Sequence, residues 1–304
     1  MKNKEPAYQV SPFPRERQVT VQGGRLASRK HTIHALIEVD VTQPRRLIRD
    51  YKARTGNALS FTAFIIACLA KAIDENKWMH AYRNWRNQII LFEDVDVNTM
   101  IEIEAEGRKK VIPHFIHAAN QRTTLDIHNE IRATQTKPAE TREYNVGWLG
   151  FLPTFAWDIF FWFIFKNPWA FKKSFGTVGI TSVGMFGKGA GWAIPFGLHT
   201  LDVALGGIAQ KPGIVDGRIE ICEFLSITLC FDHDIVDGAP AARFTQRLKE
   251  LIESGYGLAD LVTEEESALH ERPGDSSICQ ANRAARHDAV ALRHELVDLV
   301  TEGE

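Results

Sequence analysis

The sequence is poor in the features that announce several common chemistries. Its 304 residues hold four cysteines, Cys68, Cys222, Cys230 and Cys279, far apart and without a CxxC pair. Such spacing offers neither a zinc-ligand set nor a disulfide framework. No Walker-type loop and no GxGxxG occur, so no glycine-rich cradle for phosphates is expected. Neither sign of charge is in excess: 36 Lys and Arg face 38 Asp and Glu, a net charge of -2. A global pull toward nucleic acid is thereby excluded. His287 and His294 have no cluster of ligand-type residues beside them, and no metal is expected. The opening MKNKEPAYQVSPFPRERQ has no apolar centre and reads as an extended arm, not a signal peptide.

What the chain does have is apolar mass. Hydrophobic residues make up 44% of it, enough to bury a substantial core in one large domain or two small ones. Cys68 and Cys230 sit in apolar runs, as reduced core thiols do, which points to a reducing, cytoplasmic compartment. HTIHALIEVDV alternates and is β-branched, so a strand is expected. TQPRRLIRDYKARTG reads as a short helix with a threonine cap, ending at Gly56. Ser60 caps a second helix whose Phe64, Ile65, Leu69 and Ile73 recur at helical spacing. Strands follow around NQIILFE, VNTMIEIEA and KKVIPHFIH, and TTLDIHNEIRATQ predicts a helix. Strands and helices mix without strict alternation, which implies α+β or a mixed-sheet α/β protein with helices on one face.

The run FDHDIVDGAPAARF, Phe231 to Phe244, follows the β-branched LSITLCF and precedes a helix-like segment. A histidine at the end of a buried strand can serve as a general base near neutral pH if another group fixes its ring. The plain alternative is a strand, an Asp-Gly turn and a helix with His233 as a half-buried turn residue; spacing alone favours that alternative. In HDIVDG, Asp237 shapes the turn and Gly238 frees the backbone. IVDG also occurs at Ile214 to Gly217, where no histidine precedes it and a hairpin turn is expected.

Several ordered motifs change the weighting. HDIVDG between SITLCFD and GAPAARF resembles the active-site signature of the chloramphenicol-acetyltransferase-like superfamily, and more closely the catalytic core of the dihydrolipoamide acyltransferases of 2-oxo-acid dehydrogenase complexes. SRKHTIHALIEVDVT is similar to the first strand of that core and LSFTAFIIACLAKAI to its long early helix. GTVGITSVGMFG, Gly176 to Gly187, resembles the strand and glycine turn, including Gly184, that carry the family's catalytic hydroxyl. LDVALGGIAQKPGIVDGRIEICEFLSITLCFDHDIVDG resembles its final strands. The likeness runs from about Arg25 to Gly255 with one replaced segment. It implies a mixed β-sheet with helices packed on one face, assembled as a trimer or higher homo-oligomer.

The resemblance also implies a reaction: transfer of an acyl group between coenzyme A, as substrate, and a thiol or hydroxyl. His233 is then the general base, and Thr181 in GITSVG donates to the oxyanion. Ser182, next along, points to the other face of the strand. Asp237 is implied to form an ion pair that holds the loop of His233, and Gly238 to open the next helix closely against the strand. The channel for coenzyme A lies between subunits in this superfamily, so His233 faces a neighbour's Thr181. Two departures bear on substrate: Asp234 stands where the family usually has arginine, and Ser182 where the dehydrogenase-complex enzymes usually have asparagine. A carboxylate beside His233 tends to raise its pKa.

Between the expected helix at TTLDIHNEIRATQ and the hydroxyl strand lies WLGFLPTFAWDIFFWFIFKNPWAFKK, with four of the seven tryptophans: Trp148, Trp157, Trp162 and Trp169. Its apolar run is broken by Pro153 and Asp158 and is marginal for a bilayer span, which needs about 20 residues. Subunit contact or core, a membrane surface touched through Trp148 to Phe171 with Lys166, Lys172 and Lys173 nearby, and a wall for a long apolar substrate all remain open.

The expected organisation is therefore an arm over 1–24, an acyltransferase domain over 25–255 with the aromatic insert at 148–173, and a linker with a helical tail over 256–304. The tail's Ala285, Val290, Leu292, Leu296 and Val300 form a loose apolar stripe. No lipoyl domain and no Ala/Pro-rich linker are read in the chain, so no covalently bound lipoate is expected on it. A stand-alone acyltransferase follows, acting on a free acceptor or on a separate lipoyl-bearing protein. The other reading is a scaffold or partner subunit that keeps the trimeric fold without useful catalysis.

Overall fold

The computed structural model describes residues 8–14, 17–105, 107–136, 154–184, 189–258 and 261. The chain divides into two units, Met1–Ala259 and Asp260–Glu304. Nearly all of the second unit, with the expected tail helix and Cys279, lies outside the described residues, as do Trp148 and Pro153.

Alternation makes the sheet. β1 (Thr32–Asp40), β4 (Val97–Ala105), β5 (Arg108–Ile116), β6 (Val178–Ser182), β7 (Leu201–Val215) and β8 (Arg218–Asp232) form one six-stranded sheet in the order β1-β8-β7-β6-β4-β5. β6 runs parallel to both neighbours and the other pairs are antiparallel. β7 and β8 continue past the sheet as a two-stranded arm, closed at Asp216 and Gly217, both at positive φ. That is the two-residue hairpin expected at the first IVDG. NQIILFE contributes only Ile89–Ile90, paired with Tyr82–Arg83 in a separate two-stranded sheet.

Helices α2 (Thr42–Thr55), α3 (Phe61–Glu75), α4 (Thr124–Thr136) and α7 (Gly238–Glu253) pack together and against one face of this sheet. α3 is apolar nearly all round and almost wholly buried, as a central core helix must be. Ser60 caps it, its hydroxyl accepting from the Ala63 N–H, and the Ser60 N–H in turn donates to His128 Nδ1 at 3.0 Å. Thr42 is not the cap expected for α2: Val41 holds that place, and the Thr42 hydroxyl donates to Asp40 and accepts from the Glu223 N–H. Gly56 ends the helix at φ 74.

Among the described residues no helix layer covers the centre of the opposite face. The segment 189–200 crosses it, with the Trp192 indole donating to the Ile37 carbonyl at 3.2 Å. Glycines make this approach possible: a Cβ on Gly206 would collide with the Gly191 carbonyl, and one on Gly207 with the Gly189 carbonyl. Cys68 and Cys230 are buried free thiols; loss of solvation pushes Cys230 up to about 12. The sequence's extended arm is corrected in one respect. Residues Arg17–Ala27 form a helix, α1, because its Val19 and Leu26 find an apolar cluster to pack on.

Candidate active site

β8 is buried on both faces along its last eight residues and delivers the chain to the sheet edge at Asp232, where β1 pairs with it. His233 follows at once. Its N–H donates to the His31 carbonyl at 2.8 Å, and its side chain is 45% exposed, so an acceptor can reach it. The turn beneath closes on Asp232, whose backbone carbonyl accepts from the N–H groups of Ile235 and Val236.

The loop is held by groups on either side of His233. Lys30 lies 3.2 Å from Asp232 and donates to the His199 carbonyl at 2.8 Å. Asp232 accepts from the Asp234 N–H at 3.1 Å. Asp234 places its carboxylate 2.8 Å from His31 Nδ1 and 3.3 Å from Arg83. The His31 hydrogen bond, with the Arg83, His31 and Lys30 charges behind it, outweighs the small loss of solvation and holds the Asp234 carboxyl below its usual range. Asp234 is therefore engaged by His31 and Arg83, where the sequence suggested a carboxylate turned on His233.

Two further expectations change. Asp237 is 84% exposed, and its Oδ1 lies 3.8 Å from His233 Nδ1; among the described residues no lysine or arginine pairs with it. Among the described residues the implied ion pair is not made, and Lys30, His31 and Arg83 hold the loop in its stead. Asp237 precedes α7 without capping it through its side chain. Gly238 does open α7, but a Cβ there would meet nothing within 4 Å and its φ is not positive. Close packing does not require that glycine. Gly184, by contrast, is required by the Gly206 carbonyl beside it.

Thr181 and Ser182 point to opposite faces, as strand geometry demands. Ser182 lines a cavity of about 630 Å³ on the helix side with Gly184, Leu205, Phe61, Arg45 and Arg49; both arginines pair with Glu223. Thr181 lies on the other face, in the row Thr181, Ala204, Thr228, Leu36. That row is two strands across and five residues along from His233. At about 3.3 Å per residue and about 4.8 Å per strand, the two stand roughly 19 Å apart. Within one chain they do not meet.

Behind the loop lies a buried ion pair that the sequence did not signal. His199 Nδ1 is 2.7 Å from Asp202, and Nε2 is 2.9 Å from the Phe175 carbonyl. Burial works to raise the Asp202 carboxyl, but the His199 charge and hydrogen bonds override it, so the group stays below its usual range. Gly179 gives this pair its room. Lys30 and His31 were missed too, although pairing SRKH beside the final strand would have placed them next to the loop. Arg83 left no signal in the sequence. Among the described residues no group of histidines, cysteines and carboxylates has the arrangement of a metal site.

Residues 173–259 match the family model of the 2-oxoacid dehydrogenases acyltransferase (catalytic domain), a stretch that includes Thr181, Ser182, Gly184, His233, Asp234, Asp237 and Gly238. The dihydrolipoyllysine-residue acetyltransferase component of the pyruvate dehydrogenase complex of Rickettsia bellii is 24% identical over 255 residues, 81% of this chain and 53% of that protein. The corresponding component of Zymomonas mobilis is 35% identical over 83 residues, 27% of this chain and 19% of its own. The chain spans about half the length of the Rickettsia relatives it matches over most of its own length. Among solved structures, a probable dihydrolipoamide acetyltransferase from Listeria monocytogenes superposes with TM-score 0.62 at 21% identity, covering 82% of this chain and 96% of that one. The Azotobacter vinelandii dihydrolipoamide acetyltransferase gives 0.63 at 17%, covering 84% and 96%. That enzyme was studied for the role of a serine, a histidine and an asparagine in its catalytic mechanism. The chain has the fold of these cores.

Proposed function

We propose that this chain, which carries the 2-oxoacid dehydrogenase acyltransferase catalytic pattern over residues 173–259, moves an acyl group between coenzyme A and a thiol or hydroxyl acceptor. The observation that carries the proposal is His233, solvent-accessible at the end of a buried strand on a loop fixed from both sides. His233 removes the acceptor's proton as its sulfur or oxygen attacks the thioester carbonyl. Thr181 donates to the oxyanion that forms. The carbon–sulfur bond then breaks, and His233 returns the proton to the departing coenzyme A thiolate. No covalent bond to the protein is needed.

The separation of Thr181 from His233 supports a site completed by a second subunit, and a trimer is the proposed assembly. The face that carries Thr181 exposes Leu36, Trp192, Ile194 and Phe196, apolar groups suited to a subunit contact. The buried free thiols Cys68, Cys222 and Cys230 suit a reducing compartment. A separate lipoyl-bearing protein is the proposed source or recipient of the acyl group.

The test is release of free coenzyme A from acetyl-CoA with dihydrolipoamide as the first acceptor. His233→Ala is expected to lower turnover by about 10²-fold or more with the fold intact. Equal rates in wild type and variant would leave only the scaffold reading. Mixing and reassembling inactive His233→Ala and Thr181→Ala chains should restore about a quarter of the sites if each site spans two subunits. No recovery would place both groups in one chain.

A further inference from the structure

α5 (Thr154–Lys166) and α6 (Pro168–Phe175) take no part in the chemistry assigned to His233 and Thr181. Their inward residues explain themselves. Trp157, Phe161 and Ile164 of α5 meet Phe171 and Phe175 of α6 in a cluster that also packs Val19, Leu26, Tyr82 and Leu198. Asn167 caps α6 by accepting from the N–H groups of Trp169 and Ala170. The inward residues of the described part of the insert are therefore core.

The outward residues have no such account. Ile159, Trp162 and Phe163 are 63%, 60% and 58% exposed, and Trp169 of α6 is 69% exposed. Positions 159, 162 and 163 share one side of the helix at i, i+3 and i+4. Lys166 continues the same stripe and Lys173 follows on α6; both are exposed, and among the described residues neither makes an ion pair. Asp158, the acid on α5, is already bound by Gln22 and Arg25. Glu93 and Asp94, beside Trp169, are bound by Lys77 and by Lys172 and Gln121, so the patch is apolar and aromatic, with Lys166 and Lys173 as its unpaired charges among the described residues.

We infer that this stripe lies on the surface of a lipid bilayer that contains anionic lipids. α5 has 13 residues, against about 20 for a span, and no described helix is long and apolar enough to cross a membrane. A short helix with tryptophan and phenylalanine outward and lysine beside them suits the headgroup boundary, rings in the acyl edge and ammonium groups on phosphates. A second copy fits worse. Pairing two identical patches brings Lys166 and Lys173 toward their own kind with no anion between them. An anionic headgroup supplies the missing charge, and the acyl boundary takes the rings.

The experiment is co-sedimentation of the full chain with vesicles of phosphatidylcholine alone and of phosphatidylcholine with phosphatidylglycerol, at low and high salt. Binding to the mixed vesicles is expected, weakened by salt. The double variant Trp162→Ser/Phe163→Ser should bind at least about tenfold more weakly, and Lys166→Glu/Lys173→Glu should lose the preference for the anionic mixture. Both pairs are exposed, so unchanged melting temperatures are the control for folding. Absence of binding at low salt overturns the inference, as does full binding by the Trp162/Phe163 variant. Equal binding to both vesicles overturns the anionic requirement. Sedimentation velocity adds the last arm: loss of the oligomer in the Trp162/Phe163 variant, with no vesicle binding by wild type, identifies the stripe as a subunit contact.

Discussion

The His233 loop and the α5–α6 pair solve opposite problems. The loop is polar and partly exposed, yet its own chain satisfies it: Lys30, His31 and Arg83 converge on Asp232 and Asp234. The helix pair is apolar and shielded on one side only; on its other side Trp169 meets only the edge of Phe92, and Ile159, Trp162 and Phe163 stay exposed. One region is complete as a structure and, under the proposed mechanism, incomplete as a site, because Thr181 stands roughly 19 Å from His233. The other is redundant for chemistry and incomplete as a surface. The difference teaches that exposure has two meanings under the two proposals: His233 is exposed to be reached, and Trp162 is exposed to be covered.

Three measurements sharpen that contrast, taken from the largest effect down. Phe161→Ala should cost about 3–5 kcal/mol of stability, because the ring fills the centre of the cluster. Phe163→Ser, two positions on and outward, should change stability by less than about 0.5 kcal/mol. Equal costs in urea denaturation would erase the division of α5 into core and outer halves. Next, Asp234→Asn should slow turnover about tenfold by loosening the loop, with faster hydrogen exchange at the His233 amide. His31→Gln should act in the same direction. A rate that falls without any change in that exchange would make Asp234 a substrate contact and not a positioning residue.

The last effect is on acid stability. His80 is buried, and lost solvation takes its pKa from 6.5 down to about 4. Between those values the unfolded chain binds a proton that the folded chain refuses, so stability falls as pH drops from 6.5 toward 4 and is level, for this group, above 6.5. Denaturant midpoints should show that slope, and His80→Asn should flatten it. Neither change should alter vesicle binding.

Much of the fold was legible because period and length agree with burial. HTIHALIEVD alternates, and the helix after Ser60 is a continuous apolar run that only a core could accept. The hairpin at Asp216 and Gly217 was legible from its turn residues. The site was legible only as a set of names. His233, Thr181 and Ser182 could be marked on the chain, and strand alternation placed the last two on opposite faces. What holds His233 could not be read, because Lys30, His31 and Arg83 act across sequence distances that no local pattern encodes. Gly238 shows the reverse error: its place in a motif suggested tight packing where there is open space. The α1 helix escaped notice because its apolar side is satisfied by α5, far along the chain.

The pairing of β1 with β8 sets an order of events at the ribosome. Thr32 pairs with Asp232, so the first strand waits for about two hundred further residues to be synthesised before its partner exists. During that interval α3, almost every side chain of which ends up buried, has neither α7 nor the finished sheet to cover it. Contacts of such sequence span fold slowly and leave sticky surface in the open. Production of this protein should therefore depend on chaperone capacity and on translation speed through its last third more than on the stability it finally reaches.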